Sequence, residues 1–347
     1  MSRDYGLGLI VGKFAPLHKG HVLVVQRAAS LCEQIAIISY SNPELPGYRA
    51  ELREAWLKAC FPDALRVVVT PERLASWLSG SDVPTIPAND APDCDHREFV
   101  ALICRRILRR PVDAVFTSEA YGDGFAAHLT RSFRATRFSS RTVRHIMVDR
   151  ERRTVPISGT ELRRNLWRHW DYVPAPVAHT LVQRIVFLGG ESSGKTMLAS
   201  RLAKELSTEW TPEYGRELWE AKGGCLSYED LSLIAREQIR REESAVHRAR
   251  AFLFCDTSPL TTLFYSLDIF GDADAELRLA ASRQYAAVVL CAPDFPFVQD
   301  GTRRDDAFRQ RQHLWYEAQF AAGGISYVVA RGSLDDRIRF VRQSLGL

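Results

Sequence analysis

Two short glycine-bearing junctions, each between an apolar strand-like run and an amphipathic helix-like run, constrain this chain more than any other feature. The first is Gly12-Lys13-Phe14-Ala15-Pro16-Leu17-His18-Lys19-Gly20-His21, which follows Leu7–Val11. The second is Gly189-Gly190-Glu191-Ser192-Ser193-Gly194-Lys195-Thr196, between Ile185–Leu188 and Met197–Leu206. A loop that leaves a buried strand and opens a helix brings unpaired N–H groups and the positive end of a helix dipole to one point. Such a point attracts anions, and in an open parallel sheet it lies at the carboxyl edge of the strands. Two of them in 347 residues imply two sheets and two phosphate reactions on one polypeptide.

The rest of the pattern agrees. Strand-like runs at Leu7–Val11, Ile35–Ser39, Val67–Thr70, Ala114–Thr117 and Val143–Val148 alternate with helical patterns such as His21–Cys32 and Ala50–Ala59. A second series runs through Ile185–Leu188, Trp210–Glu213, Phe252–Asp256, Ala287–Cys291 and Ser326–Val329. Strands spaced by helices predict α/β architecture, with parallel sheets covered on both faces. Ser79–Asp95, rich in Pro, Ser and Asp, reads as a loop near the substrate side. Pro174 and Pro176 are expected to interrupt any helix between Tyr172 and His179, which divides the chain into residues 1–178 and 179–347.

At the first junction, His18 and His21 fall on one face of a helix that starts near His18. Two imidazoles there can donate to phosphate oxygens as charge develops in an in-line attack at phosphorus. Gly20 permits close approach of a ligand, and Lys13 adds a positive charge at the strand end. Near the end of the same half, Ser158 reads as an N-cap with Glu161 three residues on. Arg163 and Arg164 are expected in that helix's first turn, where cations oppose the dipole unless an anion binds.

The second junction is a complete Walker A sequence. Its glycines (Gly189, Gly190, Gly194) let backbone N–H groups wrap the phosphates around Glu191, Ser192 and Ser193. Lys195 would reach the β- and γ-phosphates, and Thr196 would hold Mg²⁺. Asp256 closes the run Phe252–Asp256 and is expected on the metal side, or as the base that accepts a hydroxyl proton. Glu213-Tyr214-Gly215-Arg216 places a carboxylate opposite the loop. Arg303 and Arg304, after Gly301, sit on an expected lid where cations can neutralise a transferring phosphoryl group.

Taken together, Gly-Lys-Phe-x-Pro-Leu-His-x-Gly-His and Ile157-Ser158-Gly159-x-x-x-Arg163 resemble the adenylyltransferase half of the bifunctional NadR-type proteins, within the wider HIGH-motif nucleotidyltransferases. Thr117-Ser118-Glu119 and Trp170-Asp171-Tyr172-Val173-Pro174 resemble NadR segments too. Gly-Gly-Glu-Ser-Ser-Gly-Lys-Thr, Glu-Tyr-Gly-Arg, Asp256-Thr257 with Thr261-Thr262, and Val298-x-Asp300-Gly-x-Arg303 resemble the ribosylnicotinamide kinase half. The resemblance covers nearly the whole chain. It implies a Rossmann-like nucleotidyltransferase sheet followed by a P-loop kinase sheet. It further implies that ATP and Mg²⁺ serve to phosphorylate nicotinamide riboside and then to adenylylate nicotinamide mononucleotide, giving NAD and pyrophosphate. Gly12, Lys13, Phe14, His18, His21, Thr117, Ser118, Ser158 and Arg163 carry over to ATP and phosphate binding. Glu213, Tyr214, Arg216 and Asp300 carry over to the kinase's substrate. Phe297 stands where relatives often have Trp, so the aromatic contact with the base is expected to differ. The first strand begins near Leu7, so the helix-turn-helix that makes some NadR proteins repressors is not expected.

Composition fits this reading. Hydrophobic content of 46%, charge of 25% and a net charge of +4 describe a globular protein suited to anionic small molecules. No segment approaches the roughly 18 uninterrupted apolar residues of a membrane span, and with a polar start at Met1 to Tyr5 no secretory signal is expected. Seven cysteines without paired spacing point to a reducing cytoplasmic compartment. Arg131, Arg134, Arg137, Arg141 and Arg144 read as a solvated face or a substrate-side rim, not a nucleic-acid surface. Nothing in the sequence decides whether the chain forms a homo-oligomer. Two other readings stay open: the same folds acting on another nucleoside or phosphate acceptor, and a nucleotide sensor without turnover.

Overall fold

The computed structural model describes residues 3–78, 83–297 and 304–347. It divides into two compact units, Met1–Val177 and Ala178–Leu347.

The first unit contains strands β1 (Tyr5–Gly12), β2 (Cys32–Ser39), β3 (Leu65–Val68), β4 (Ala114–Thr117) and β5 (Arg144–Met147). Its helices are α1 (Lys19–Leu31), α2 (Ala50–Cys60), α3 (Pro71–Trp77), α4 (Asp93–Ile103), α5 (Gly122–Ala135) and α6 (Gly159–Arg164), with α7 (Ala175–Leu181) at the division between the units. The strands pair in the order β3-β2-β1-β4-β5, all parallel. Leu7, Leu9 and Ile10 of β1 and all of β4 are buried, as the near-continuous apolar runs of a doubly covered parallel sheet require. The chain leaves β1 toward β2 and later returns on its other side as β4. The carboxyl ends of β1 and β4 therefore bound the switch-point crevice.

The second unit contains β6 (Gln183–Leu188), β7 (Glu209–Thr211), β8 (Phe252–Asp256), β9 (Ala287–Cys291) and β10 (Val328–Ala330), paired in the parallel order β10-β9-β6-β8-β7. Its helices are α8 (Lys195–Glu205), α9 (Tyr214–Ala221), α10 (Tyr228–Ala245), α11 (Pro259–Phe270), α12 (Ala275–Ala281), α13 (Asp306–Gly323) and α14 (Leu334–Ser344). The central strand β6 leads into the glycine-rich loop, and Gly194 at φ +80° caps α8. No helix among the described residues is long and apolar enough to cross a membrane.

Several local expectations need correction. A helix does form at Ala175–Leu181, because Pro174 precedes it and Pro176 sits in its first turn, where backbone N–H groups have no intrahelical partner anyway. Asp93–Asp95 belong to α4 and not to a loop, the acidic residues favouring the helix's positive end. α6 has only six residues, so Arg163 and Arg164 lie in its last turn, where the dipole welcomes cations. The strand expected at Trp210–Glu213 ends at Thr211, which leaves Glu213 as the N-cap of α9.

A fully buried arginine braces the functional loop in each unit. Arg53 of α2 donates from Nη1 to Ser39 Oγ at 2.8 Å and to the Lys13 carbonyl at 3.4 Å, and pairs with Glu44 at 2.7 Å. Arg337 of α14 donates to the carbonyls of Ser193 (2.8 Å), Ala292 (2.8 Å) and Gly332 (2.9 Å), and pairs with Asp294. Replacing Arg337 by Met leaves those carbonyls and Asp294 unmatched, at a cost of about 3 kcal/mol. Hydrogen exchange should then quicken at β6, the glycine-rich loop and β9; unchanged protection there would show that Arg337 braces nothing.

Candidate active sites

The carboxyl ends of β1 and β4 open into a cleft of about 570 Å³. Its lining includes Gly12, Lys13, Phe14, His18, His21, Thr117, Ser118, Ser158 and Arg163, whereas Arg164, expected beside Arg163, does not line it. His18 is the N-cap of α1, and its Nδ1 accepts from the Gly20 N–H at 3.1 Å. Reciprocally, His21 Nδ1 accepts from the His18 N–H at 3.2 Å. This is a capping box made of two imidazoles. Because both Nδ1 atoms act as acceptors, each neutral ring carries its hydrogen on Nε2. The ring centroids lie 3.8 Å apart, with the planes tilted by 35°.

Burial, then Arg152 and Arg163, pushes the His18 pKa down to about 4. Burial, then His18 and Arg152, takes His21 well below its ordinary value. Both are therefore neutral donors at pH 7, so they stabilise charge by hydrogen bonding. Gly20 matters for a different reason from the one expected. A Cβ there would lie 2.9 Å from the His18 ring, so the glycine makes room for the cap. Phe14 is buried, with its ring 4.7 Å from that of His21, and it holds a left-handed φ of +50°. Its side chain supports the histidine, and such backbone strain costs about 1–3 kcal/mol.

The cations come from three segments. Lys13 has a pKa lowered by desolvation and by Arg163. Arg163 donates to the Ala15 carbonyl and to Thr160 Oγ1 at 3.1 Å, tying α6 to the β1–α1 loop. Ser158 is fixed as the N-cap of α6: Glu161 Oε2 accepts from its N–H at 2.8 Å. Arg152, which no motif marked, lines the same cleft. It donates to the Ile157 carbonyl at 3.0 Å and lies 3.5 Å from Glu119. Asp149 organises its loop by accepting from the N–H groups of Arg153, Thr154 and Val155. Farther along the cleft stand Tyr40, Asn89 and His96, with the Tyr40 hydroxyl 3.0 Å from His96 Nδ1.

The second cleft, about 610 Å³, lies over the glycine-rich loop. Glu191, Ser192, Ser193, Gly194, Lys195 and Thr196 line it, with Glu213, Arg216 and Arg304. Lys195 Nζ donates to the Gly189 and Gly190 carbonyls at 3.1 and 3.0 Å. Thr196 Oγ1 donates to Asp256 Oδ2 at 2.6 Å, while Asp256 Oδ1 is buried and has no hydrogen-bond partner among the described residues. An unmatched carboxylate oxygen beside a threonine hydroxyl is a hard-oxygen donor pair, which fits Mg²⁺ shared with a triphosphate. Burial raises the pKa of both Asp256 and Glu213; the Asp256 charge raises Glu213 further, and Lys195 and Arg216 offset part of the shift. Glu191 accepts from the Tyr265 hydroxyl and the Arg304 N–H, each at 2.8 Å.

Tyr214 does not line this cleft: its ring packs against the Leu231 cluster and lies 4.5 Å under the Arg241 guanidinium. Phe297 lies under Arg309 instead of lining the cleft. Asp300 and Arg303 lie outside the described residues. Trp219 and Tyr265 line the cleft unannounced by any motif.

Fold and sites define a nucleotidyltransferase-like unit followed by a P-loop, kinase-like unit. Residues 9–165 match the cytidylyltransferase-like family, and residues 184–337 match an AAA domain. The chain is similar over most of its length to NadR proteins. It is 28% identical to the trifunctional NAD biosynthesis/regulator protein NadR of Escherichia coli strain K12, over 86% of this chain and 71% of that protein. It is 27% identical to the NadR protein of Salmonella typhimurium strain LT2, over 87% and 72%. A NadR crystal structure in complex with NR shares the fold at a TM-score of 0.72 and 20% identity, covering 100% of this chain and 98% of that one.

The neutral histidines make a sign-specific prediction. An unfolded His binds a proton near pH 6.5 and folded His18 only near 4, so the unfolded state holds more protons between these values. Stability is then complete above pH 6.5 and declines as pH falls toward 4, by up to about 3 kcal/mol from His18. His18→Asn keeps an N-cap. It should make the stability of the first unit less steeply pH-dependent in urea titrations; an identical slope would contradict the depressed pKa.

Proposed function

We propose that this protein makes NAD in two steps: ATP-dependent phosphorylation of nicotinamide riboside at the second site, then adenylyl transfer from ATP to nicotinamide mononucleotide at the first. The observation that carries the proposal is the pairing of two clefts of different lining, one with neutral histidines and one over a glycine-rich loop, on one chain that is similar to NadR along most of its length. A local match to the phosphopantetheine adenylyltransferase of Streptococcus pyogenes, 38% identical over 72 residues, covers only 20% of this chain. It supports nucleotidyl chemistry over a short stretch only.

In the kinase step, the riboside's 5′-hydroxyl attacks the γ-phosphorus and ADP leaves. Glu213 takes the hydroxyl proton, because it lines the cleft while Asp256 is engaged by Thr196, and a carboxylate with a raised pKa is the stronger base. Lys195 and the loop N–H groups hold the β- and γ-phosphates. Thr196 and Asp256 would hold Mg²⁺, whose charge balances the triphosphate oxygens. Trp219 and Tyr265 give the nicotinamide ring aromatic faces. In the adenylyl step, a phosphate oxygen of the mononucleotide attacks the α-phosphorus and pyrophosphate leaves. The Nε2–H groups of His18 and His21 donate to the triphosphate where negative charge grows. Lys13, Arg152 and Arg163 hold the departing pyrophosphate.

His21→Ala should lower NAD formation from supplied mononucleotide by about 10²–10³ and leave riboside phosphorylation intact, so that mononucleotide accumulates. Lys195→Ala should show the reverse. Product chromatography separates these outcomes, and NAD formed at the wild-type rate by His21→Ala would contradict the assignment.

The two carboxylates should also part. Glu213→Gln is expected to lower kinase kcat by about 10²–10⁴ with the Mg²⁺ dependence unchanged. Asp256→Asn should instead raise the Mg²⁺ concentration needed for half-maximal rate. Interchanged results would make Asp256 the base.

A further inference from the structure

The first cleft has a support that none of its motifs contains. Thr117, the last residue of β4, lines the cleft and is buried. Its hydroxyl donates to the Glu119 carbonyl at 2.9 Å and lies 2.9 Å from His145 Nε2. His145 Nδ1 lies 2.8 Å from Asp123 Oδ1, in the first turn of α5. The His145 side chain is 5% exposed, so this ring is an internal part and not a surface histidine. The sheet explains the meeting. His145 of β5 pairs with Val115 of β4, and Thr117, two residues on, shares Val115's face. Gly122 completes the arrangement: a Cβ there would lie 2.1 Å from His145 Nε2, so the ring fills the space where a side chain would begin.

We propose that His145 is a positioning residue for the ATP side of the first site, acting through Thr117; the proposal rests on the adenylyl-transfer reading of that site. With both ring nitrogens engaged, His145 is fixed in orientation and holds the Thr117 hydroxyl from one side while the Glu119 carbonyl holds it from the other. The turn after β4 thereby enters the cleft in one conformation. Glu119 in turn faces Arg152, so the same support reaches a cation of the phosphate site. Slack in this turn would misalign the α-phosphorus without touching the acceptor's end of the cleft.

Pyrophosphate release with supplied nicotinamide mononucleotide, ATP and Mg²⁺ reads the first site alone, because the kinase releases ADP. His145→Leu should raise the KM for ATP about tenfold and leave the KM for the mononucleotide unchanged. His145→Gln, whose amide can still meet Thr117, should recover most of that loss. Thr117→Val should match His145→Leu, and the double variant should be no worse than either, because residues acting through one contact are not additive. Equal losses in the Leu and Gln variants, additive losses, or an effect on the mononucleotide KM would overturn the proposal. So would a lowered melting temperature with an unchanged KM for ATP. If the wild-type protein releases no pyrophosphate, the reaction assigned to this site is wrong. Calorimetric titration with α,β-methylene ATP then decides the positioning role. Weakening of one of two binding events by His145→Leu supports it, and unaltered binding at both overturns it.

Discussion

Each functional loop stands where it does because a buried guanidinium on another helix holds it by its carbonyls. Arg53 grips Lys13 through its carbonyl, and Arg337 grips Ser193 in the same way. A loop whose carbonyls are tied from behind turns its N–H groups and cationic side chains toward the cleft. A buried cation with several directed partners is costly to misplace, since its charge would go unmatched in a poorly solvating interior. Each loop is thus set by the fold before any ligand arrives, which is the preorganisation that electrostatic stabilisation of a phosphoryl transfer needs. The sheets supply the other half, because both loops follow the central strand of an all-parallel set.

From this common plan the two sites diverge in charge. The first presents two neutral histidines, kept neutral by burial and by neighbouring arginines, and its fixed cations lie on separate segments. The second wraps its glycine-rich loop around one lysine and sets two carboxylates across from it. Neutral N–H donors beside dispersed cations suit stabilisation of a triphosphate that is attacked from outside by another phosphate. Carboxylates that share a confined space suit a hydroxyl acceptor, which must lose a proton and which needs the metal's charge nearby. The proposed pair of reactions follows from that contrast.

Much of this was legible in the sequence where chemistry and local geometry coincide. The strand-to-helix junctions, the capping box at Ser158 and the alternation of strands and helices all depend on residues within a few positions of each other. What stayed hidden depends on packing between distant segments. Arg53, His145 and Arg337 meet Lys13, Thr117 and Ser193 only after the sheets assemble, as Arg152 meets Glu119, and no spacing rule announces a partner from a distant segment. Tyr214 shows the converse error. It sits beside Glu213 in a suggestive tetrapeptide, but successive helical residues point about 100° apart, and its ring faces α10 and Arg241 instead of the cleft. Pro176 misled for a related reason, because a proline breaks a helix interior but fits its first turn.

The central claim is that one chain directs attack at two different phosphorus atoms of ATP. Isotope tracing reads this directly: the wild-type protein is incubated with unlabelled nicotinamide riboside, Mg²⁺ and ATP labelled with ³²P at either the γ- or the α-position. NAD should carry label from both, the γ-label in its nicotinamide-side phosphate and the α-label in its adenylyl half. Label confined to the mononucleotide would leave only the kinase, and NAD lacking γ-label would mean that the riboside's phosphate comes from elsewhere; either result contradicts the account.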